Sequence, residues 1–336
     1  MNNYELRWND PAWADGVRAW IEAETTRRSI RITGAIEQPH VYPWSTVLRV
    51  PTEQGTLFFK ATAAETIYEA ALTEKLANWF PDRLPELVAV DGVQGWMLMR
   101  DAGEPLRVKI RANQDIRPWL PAITSYAELQ TAVAAHVPEI LALGVPDWRL
   151  SRLPELYAAL LEDREGLLLE QPDGLSRDDF RRVRGLGPRL QQIFDQLAAY
   201  RIPETLNHGD FHDGNVLVQD GRITLFDWGD GNITHPFASL RTLFVSIENS
   251  LKLDDYAFTP EMEILLDHYL STWRDFASEP ELRIAFKLSR PAATVVKTLA
   301  WHQTIARLAG PQREKYARIV PELFRELIVT EKMTQD

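Results

Sequence analysis

The chain contains no cysteine, so disulfide bonds, thiolate nucleophiles and cysteine metal sites are all excluded. It also lacks any run of about 18 apolar residues, the length that a helix needs to cross a membrane. The polar start Met1–Glu5 does not have the pattern of a signal peptide. These absences predict a cytoplasmic protein with no membrane partner.

Positive charge is scarce in this sequence. The 37 Lys and Arg residues are outnumbered by 48 Asp and Glu residues, which gives a net charge of −11 at pH 7. Because nucleic acid phosphates select basic surfaces, a nucleic acid partner is not expected. The excess is largest in residues 101–230, with 21 acidic and 14 basic residues, and such a field favours a cationic small molecule. Acidic cytoplasmic proteins commonly carry the same charge, so this narrows the ligand class only slightly.

The length and composition predict a globular protein with a substantial core, since 45% of its 336 residues are hydrophobic and 25% are charged. Two β-prone runs, Thr46–Val50 and Thr56–Lys60, flank a turn and predict a hairpin. A second hairpin is predicted where Val88–Val90 is followed by Trp96–Arg100. The first hundred residues are therefore expected to be rich in β-structure.

The remainder of the chain is predicted to be mostly helical. The expected helices cover residues 124–136, 153–165, 189–200, 237–250, 260–277, 281–308 and 312–333. Pro291 falls inside one of them and is expected to kink or divide it. Residues 1–27, with Trp8, Trp13 and Trp20, predict an extra amphipathic helix whose aromatic residues pack against the β-rich part.

One polar stretch carries the chemistry of this chain. It runs from His208 to Asn215 as H-G-D-F-H-D-G-N, and Phe226-Asp227-Trp228-Gly follows after a short interval. Phosphoryl transfer from ATP needs a carboxylate that orients or deprotonates the attacking hydroxyl, together with ligands for Mg²⁺ on the phosphates. Asp210, Asn215 and Asp227 can supply these groups.

The interval between the two halves of the motif predicts a third hairpin. Residues 216–226 contain two β-prone runs that are joined at Asp220-Gly221, a strong short-range hairpin signal. Such a hairpin folds Asp227 back beside Asn215. The spacing therefore predicts that the two polar side chains share one site.

This motif resembles that of the aminoglycoside phosphotransferase and choline kinase group, a kinase-like family that phosphorylates small molecules. Kinase catalytic loops read H-R-D-x-x-x-x-N and are followed by D-F-G. Here the step from Asp210 to Asn215 is the same, while Gly209 and Trp228 replace the Arg and Phe. The resemblance implies that Asp210 is the catalytic residue and that Asn215 and Asp227 hold Mg²⁺.

Other polar residues near the motif are candidates for loop support or for contact with the substrate. By resemblance, His208 braces the catalytic loop through hydrogen bonds. His212 and Asp213 lie inside the loop and face either the substrate or the solvent. Asp230, just beyond the metal-binding aspartate, and Glu248 on the next helix are the acids expected first in a substrate pocket.

The first lobe of a kinase supplies a lysine for the phosphates and an acidic partner on the following helix. Lys60 ends the second β-prone run, and residues 63–79 form an amphipathic helical pattern directly after it. Glu69 matches the family pattern and is the predicted ion-pair partner of Lys60. Glu65 and Glu74 are the competing candidates.

The resemblance also implies where the nucleotide binds. The predicted strand ending at Arg100 leads into the linker that binds adenine in this family, so Met99, Arg100 and Asp101 are expected to line that pocket. No glycine-rich phosphate loop precedes the first β-prone run. Ser45 or Thr46 could contact a phosphate there, although a turn hydroxyl more often bonds its own backbone.

The chain departs from the family after the metal-binding aspartate. Many members have a G-D-P-x-x-D-L stretch, whereas this sequence has His235 and Ser239 at the positions of the two acids. The second acid is thought to bond back to the catalytic loop. Ser239 is expected either to do so more weakly or to lie in a rearranged network.

The fold implied by the resemblance is α+β and protein-kinase-like, with two lobes. Residues 1–101 are expected to form a small β-rich nucleotide-binding lobe with an extra N-terminal helix. Residues 102–336 are expected to form a larger, mainly helical lobe for catalysis and substrate binding. ATP is expected to bind between the two lobes.

The predicted function is ATP- and Mg²⁺-dependent transfer of the γ-phosphate to a hydroxyl of a small molecule. Aminoglycosides, amino alcohols, sugars, amino acids and nucleosides are all compatible acceptors. One alternative is a kinase-like nucleotide-binding or regulatory protein without efficient turnover. Another is an unrelated helical ligand-binding protein in which the motif is coincidental.

Overall fold

The computed structural model describes residues 4–334, so residues 1–3 of the predicted N-terminal helix and residues 335–336 lie outside the described residues. The chain divides into two compact units. The first consists of Met1–Pro105 and Asn215–Gly229, and the second of Leu106–Gly214 and Asp230–Asp336. The α+β class is confirmed, because the first unit holds a five-stranded antiparallel sheet and the second is mainly helical.

Ten strands are found in the part of the chain that the structure describes. They are β1 (Glu37–Val41), β2 (Ser45–Thr52), β3 (Gly55–Thr62), β4 (Leu87–Asp91), β5 (Trp96–Arg100), β6 (Glu104–Pro105), β7 (Thr205–Asn207), β8 (Val216–Gln219), β9 (Arg222–Leu225) and β10 (Asn232–Thr234). The five-stranded sheet has the order β1-β2-β3-β5-β4. Strands β6, β8 and β9 form a second sheet, and β7 pairs with β10.

The α-helices among residues 4–334 account for most of the second unit. They are α1 (Tyr4–Asn9), α2 (Pro11–Arg27), α3 (Tyr68–Trp79), α4 (Leu106–Asn113), α5 (Trp119–Val133), α6 (Val137–Leu141), α7 (Leu153–Glu162), α8 (Arg177–Gly185), α9 (Gly187–Ala199), α10 (Ser239–Leu251), α11 (Pro260–Ser271), α12 (Glu279–Ile305), α13 (Gly310–Tyr316) and α14 (Ile319–Lys332). Short 3₁₀ turns cover Ala64–Thr66, Ala134–His136 and Pro236–Ala238. None of the described helices is both long and apolar enough to span a bilayer.

The hairpin β8–β9 belongs to the first unit, which differs from the predicted division at residues 101 and 102. Its β8 strand pairs with β6, and the Leu225 amide donates to the Arg83 carbonyl oxygen. The Arg222 guanidinium donates to the carbonyl oxygens of Pro81 and Leu84. Backbone pairing across more than a hundred residues therefore groups this segment with the N-terminal unit.

The main sheet buries a different set of side chains on each face, because successive residues in a strand point to opposite sides. Leu57 and Phe59 of β3 pack in a core with Trp8, Val17 and Ile21 of the first two helices, and the predicted packing role of the N-terminal tryptophans is confirmed. The single helix predicted there is two helices. The break lies at Asp10, whose carboxylate accepts from the Ala12 amide as the N-cap of α2.

The opposite face of the sheet carries a smaller apolar cluster under α3. Met97 and Met99 of β5 pack there with Ala70 of the helix and with Phe58 of β3. Lys60 is two residues beyond Phe58 and pairs across the sheet with Met97. The strand alternation therefore places the lysine side chain on the α3 face.

The helical unit corrects several sequence-based boundaries. Pro291 does not divide α12, because most of the residues that follow it are buried and tertiary packing outweighs the local cost of the missing donor. The helix predicted over 312–333 is two helices, and Pro321 lies in the first turn of α14, where a proline is tolerated. Helices α4 and α8 were not predicted from the sequence. They bury only two residues and one residue, respectively, so they carry little of the apolar periodicity that marks a helix.

A matched pair of valine substitutions tests the assigned faces of the sheet. Val50→Ala removes two methyl groups from a side chain that is 0% exposed. Unfolding free energy should fall by about 2 kcal/mol in urea denaturation followed by tryptophan fluorescence. Val93→Ala, at an 84% exposed turn position, should change it by less than about 0.5 kcal/mol. Equal losses would contradict the burial pattern.

Candidate active site

Lys60 is held between two carboxylates inside the first unit. Its Nζ lies 2.6 Å from Glu69 Oε1 and 2.7 Å from Asp227 Oδ1. Lys60 is 2% exposed and Glu69 is 1% exposed. Burial by itself lowers the pKa of Lys60, but Asp227 and Glu69 outweigh that effect and raise the pKa above its ordinary value. The ammonium is therefore charged, and among the three glutamates considered it is Glu69 that pairs with it.

Asp227 lies at the end of the β8–β9 hairpin in a left-handed backbone conformation with a φ of 68°. Non-glycine residues rarely adopt this conformation, and such strained positions cluster at functional sites. The Phe226 amide, directly before it, donates to the Asn215 carbonyl oxygen over 3.0 Å. The hairpin thus brings the backbone beside Asp227 to Asn215, as the sequence predicts. The Asp227 side chain is 41% exposed, and its Oδ2 accepts no hydrogen bond from residues 4–334.

The residues predicted to contact adenine and phosphate have mixed environments. Met99 is buried under α3, and the Arg100 guanidinium bonds to Glu86 on the protein surface. Asp101 is exposed and accepts from the Gly103 amide. Ser45 is half-buried at the start of β2. The nucleotide contacts assigned to these residues remain predictions.

Asp210, in the second unit, accepts hydrogen bonds from two cationic or polar side chains. Lys297 Nζ lies 3.1 Å from its Oδ1, and His212 Nε2 lies 3.2 Å from its Oδ2. Burial raises the pKa of Asp210, but Lys297 and His212 outweigh it and hold the pKa well below its usual range. The carboxylate is thus ionised at neutral pH, and a third of the side chain is exposed.

Lys297 comes from α12 and is almost fully buried, with 12% of its side chain exposed. Besides Asp210 it donates to the Gly209 carbonyl oxygen over 3.0 Å and lies 3.6 Å from Asp230 Oδ2. Burial lowers the pKa of Lys297, whereas Asp210 and Asp230 raise it, and the net direction is upward. The lysine is therefore a permanent cation beside the carboxylate.

His212 is fixed as a hydrogen-bond donor to that carboxylate. Its Nδ1 accepts from the Gly214 amide over 2.9 Å and lies 3.3 Å from the Arg107 guanidinium. Because both of these neighbours are donors, Nδ1 acts as the acceptor and the ring proton is on Nε2. The Nε2–H group of His212 therefore faces the carboxylate of Asp210.

Asp213 does not face the solvent, which is one of the two environments expected for it. It is 1% exposed, although it is among the residues that line the cavity of Asp210 described below. Its Oδ1 lies 2.7 Å from Arg107 Nε, and its Oδ2 accepts from the Ser250 hydroxyl. Two tertiary partners that are far away in sequence hold this loop residue inside the fold.

Gly209 replaces the arginine of protein kinases for a steric reason. Its φ is +75°, and a Cβ at this position would lie 2.1 Å from the Asp230 carbonyl oxygen. Only glycine tolerates both the conformation and the close backbone. The substitution in the motif therefore reflects how tightly the chain before Asp210 approaches Asp230.

The chain before the motif is held by a buried hydrogen-bond network. Tyr126 accepts from the His208 amide, and its hydroxyl lies 2.6 Å from Ser239 Oγ. The Ser239 hydroxyl donates to Asn207 Oδ1 over 2.6 Å, and that oxygen also accepts from the Gly209 amide. A hydroxyl has one proton, so Tyr126 must be the donor to Ser239. Ser239 bonds back toward the catalytic loop through Asn207.

His235 takes over a capping role at the other departure from the family pattern. Its Nδ1 accepts from the Phe237 amide at the start of the 3₁₀ turn, as the carboxylate of an aspartate cap would. The ring is 1% exposed, and burial lowers the pKa of His235 to about 3. The neutral imidazole therefore substitutes for an acid at this position.

A cavity of the second unit contains Asp210 and is lined by more cations than acids. Besides Asp210, its charged lining residues are Arg107, Arg111, Asp213, Arg241 and Lys297. The acidic total of residues 101–230 therefore does not describe the local charge. Sequence reasoning missed the cations because three of them come from helices distant in sequence from the motif. The sequence does carry one signal for Lys297, because it is the single charged residue in the run 291–300.

Comparison with known proteins places this geometry in a family. Residues 45–250 match the sequence model of the phosphotransferase enzyme family. A search of curated proteins found no match to the chain. The resemblance inferred from the motif is thus confirmed at the level of the family.

Solved structures of small-molecule kinases share the fold at low sequence identity. The ethanolamine kinase of Plasmodium vivax is 12% identical, with 89% of this chain and 84% of that chain covered and a TM-score of 0.57. The choline kinase of Cryptosporidium parvum Iowa II is 11% identical, with 89% of each chain covered and a TM-score of 0.57. An amicoumacin kinase in complex with AMP-PNP, Ca²⁺ and Ami is 11% identical, with 93% of this chain and 96% of that chain covered and a TM-score of 0.52. The protein-kinase-like fold class is confirmed by these likenesses.

A serine pair tests the network around the motif. Ser239→Ala leaves the buried Asn207 and Tyr126 side chains each without one partner, so unfolding free energy should fall by about 1–3 kcal/mol in chemical denaturation. Ser271→Ala removes a hydroxyl that bonds the His268 carbonyl oxygen at an exposed helix end and should change it by less than about 0.5 kcal/mol. If Ser239→Ala left the unfolding free energy unchanged, the network would not be what holds the loop.

Proposed function

The chain belongs to the phosphotransferase enzyme family, and from this premise we propose that it transfers the γ-phosphate of ATP to a hydroxyl of a small molecule with the help of Mg²⁺. The general statement that the protein is a phosphotransferase follows from its membership of this family. The nucleotide, the metal and the roles of individual residues are the proposal. The acceptor class is treated separately below.

The observation that carries the proposal is the buried Lys60, which is bonded to Glu69 and also to the partly exposed Asp227. An ammonium has three N–H donors, and these carboxylates use two of them. The third donor is free to bond a phosphate oxygen of the nucleotide. Glu69 keeps the lysine oriented, because burying both groups leaves each with few other partners.

The side chains of Asp227 and Asn215 fit a magnesium ion. Mg²⁺ prefers oxygen ligands and is usually held by one or two carboxylates together with substrate phosphates and water. A Mg²⁺ held there supplies charge neutralisation on the phosphates. The amicoumacin kinase complex with AMP-PNP and a divalent cation supports the same combination.

Asp210 is proposed to orient the acceptor hydroxyl and to take its proton. A carboxylate whose pKa is depressed is a weak base, so proton transfer to it is expected late, when the phosphoryl group has nearly bonded to the oxygen. Lys297 and His212 hold the carboxylate in place. His208 and Asp230 act as supports of the loop and of Lys297, and Met99, Arg100, Asp101 and Ser45 are proposed to contact the nucleotide.

MgATP binding is tested by thermal unfolding of the wild type and Asp227→Asn. Ligand at 100 times its dissociation constant stabilises the folded state by about 2.7 kcal/mol, which should raise the midpoint by several degrees. The rise should require Mg²⁺ and should shrink in Asp227→Asn. Asp220→Asn, at the exposed turn of the same hairpin, is the matched control and should behave as wild type. The absence of a rise with any nucleotide would overturn the proposal.

Turnover is tested with Asp210→Asn across a panel of hydroxyl compounds. The substitution removes the proton acceptor but no proposed nucleotide ligand, so kcat should fall by about 10²–10⁴-fold while the MgATP shift stays. Phosphate transfer to compounds is followed by coupled ADP release. Tight MgATP binding with no transfer to any compound would favour a nucleotide-binding protein without turnover.

The role of Lys297 is tested through pH. Lys297→Met removes the nearest cation from Asp210, so the pKa of that carboxyl should rise. The acidic limb of the plot of kcat against pH should then move to higher pH. Lys297→Arg keeps the charge and should leave the limb near its wild-type position. A lower rate with no movement of the limb in Lys297→Met would mean that the lysine acts only through packing.

A further inference from the structure

A second cavity in the helical unit has no role in the proposed chemistry. It has a volume of about 230 Å³ and is enclosed by α10, α12, α14 and the segment 252–259. Phe244, Phe258 and Phe286 line it, and the ring centroids of neighbouring pairs lie 5.2 to 6.4 Å apart. Aromatic rings thus form much of the apolar lining, together with aliphatic side chains such as Val245 and Leu253, and the volume suits a molecule of amino-acid size.

Arg290 of α12 lines this cavity with a guanidinium that has no partner. Within residues 4–334 its side chain makes no hydrogen bond and lies within 4 Å of no carboxylate oxygen, and it is half-buried. Burial lowers the pKa of Arg290, and Glu248 and Glu326 only partly offset this. A guanidinium removed from water is stabilised by a bidentate carboxylate, and the protein does not supply one here.

The carboxylates around this arginine are already committed or unfavourably placed. Glu326 forms a two-point ion pair with Arg241 and accepts from the Thr294 hydroxyl. Glu248 of α10 faces Asp255, and burial together with that like charge raises the pKa of Glu248 to about 7. A bound ammonium would oppose both effects, because a nearby positive charge favours the ionised form of a buried carboxyl.

The cavity therefore presents a guanidinium and a carboxyl that attract each other but form no ion pair within 4 Å. We propose that it binds the zwitterionic end of the phosphate acceptor, which is an α-amino acid that carries a hydroxyl. The carboxylate of that ligand pairs with Arg290, its ammonium with Glu248, and its hydrocarbon part packs on Phe244 and Phe286. This inference rests on the proposed function, since it names the acceptor.

The position of the cavity explains why its ligand is the acceptor. Arg241, Val245 and Asn249 of α10 line this cavity and also the cavity that contains Asp210. The two cavities thus adjoin along one helix of the same unit. The proposal requires the hydroxyl of an amino acid held at Arg290 to extend along α10 toward the carboxylate of Asp210.

The charges discriminate among the possible acceptors. An amino alcohol has no anion for Arg290, and a sugar has neither charge. A hydroxy acid without an amine would leave Glu248 beside Asp255 with the same repulsion as in the free protein. Only a zwitterion supplies both an anion for Arg290 and a cation for Glu248. Specificity of this kind comes from charged groups that a wrong ligand would leave unpaired.

Binding is tested by calorimetry with the full chain in the presence of MgATP. The probes are serine, threonine, homoserine, hydroxylysine and tyrosine, each compared with its analogue that lacks the carboxylate and its analogue that lacks the amine. At least one amino acid should bind tenfold or more tightly than both of its analogues. The inference is overturned if no amino acid binds or if an amino alcohol binds equally well.

Two matched variants locate the site. Arg290→Gln should weaken amino-acid binding at least tenfold and leave the MgATP thermal shift unchanged. Arg283→Gln, on the same helix but in a partly exposed ion-pair group with Glu263 and Asp267, should change neither. Equal effects of the two substitutions would place the ligand elsewhere. A missing MgATP shift in the wild type would defeat the proposed function, whereas an intact shift without amino-acid binding would defeat this inference alone.

The pH dependence of binding gives a further readout. The charged or titratable groups that face Glu248 are Asp255, Tyr256, Arg290, Glu326 and Arg241. Ionisation of Glu248 favours the ligand's ammonium, so binding should be roughly tenfold weaker at pH 6 than at pH 8. Glu248→Gln should bind more weakly at pH 8 and should lose this dependence. A wild-type affinity that is flat from pH 6 to 8 would rule out Glu248 as the amine partner.

Discussion

The burial of lysine ammonium groups is the constraint on which the rest of this structure depends. An ammonium inside a protein costs several kcal/mol unless carboxylates compensate it. In the first unit, Glu69 and Asp227 surround Lys60, and in the second unit Lys297 lies beside Asp210. Each unit thus uses one buried cation to hold a partly exposed carboxylate in one position.

This arrangement makes the function of the site inseparable from its folding. Asp227 reaches Lys60 because the β8–β9 hairpin pairs with β6 and bonds to the Arg83 carbonyl oxygen, and Lys297 reaches Asp210 because α12 is packed into the core. The hydrogen bonds through Tyr126 and Ser239 stiffen the backbone directly before the motif. A buried polar network that is fully satisfied specifies one geometry, and phosphoryl transfer depends mainly on geometry and charge.

The local charges also show why total charge is a poor guide to a ligand. The chain is strongly acidic, and its sequence favours a cationic acceptor. Yet the Asp210 cavity is lined by Arg107, Arg111 and other cations, and the adjoining cavity contains the unpaired Arg290. Surface acids keep a protein soluble, whereas the few charges inside a cavity decide what it accepts.

The sequence alone determined the features that depend on short-range order. The hairpins, the spacing of Asp210, Asn215 and Asp227, and the position of Lys60 in a β-strand follow from alternation, turn residues and motif steps, which act within about ten to twenty residues. The kinase-like fold class and the family were inferred from the resemblance of the motif at residues 208–215 to a known family.

The tertiary structure decided the partners that come from far along the chain. Lys297 lies 87 residues beyond Asp210, and nothing in a single sequence fixes that approach. The hairpin joined the N-terminal unit, Asp213 became buried, and Arg290 met Glu248 across a cavity for the same reason. Burial and ion pairing are properties of packed elements, and local patterns specify which elements form but not which of their side chains meet.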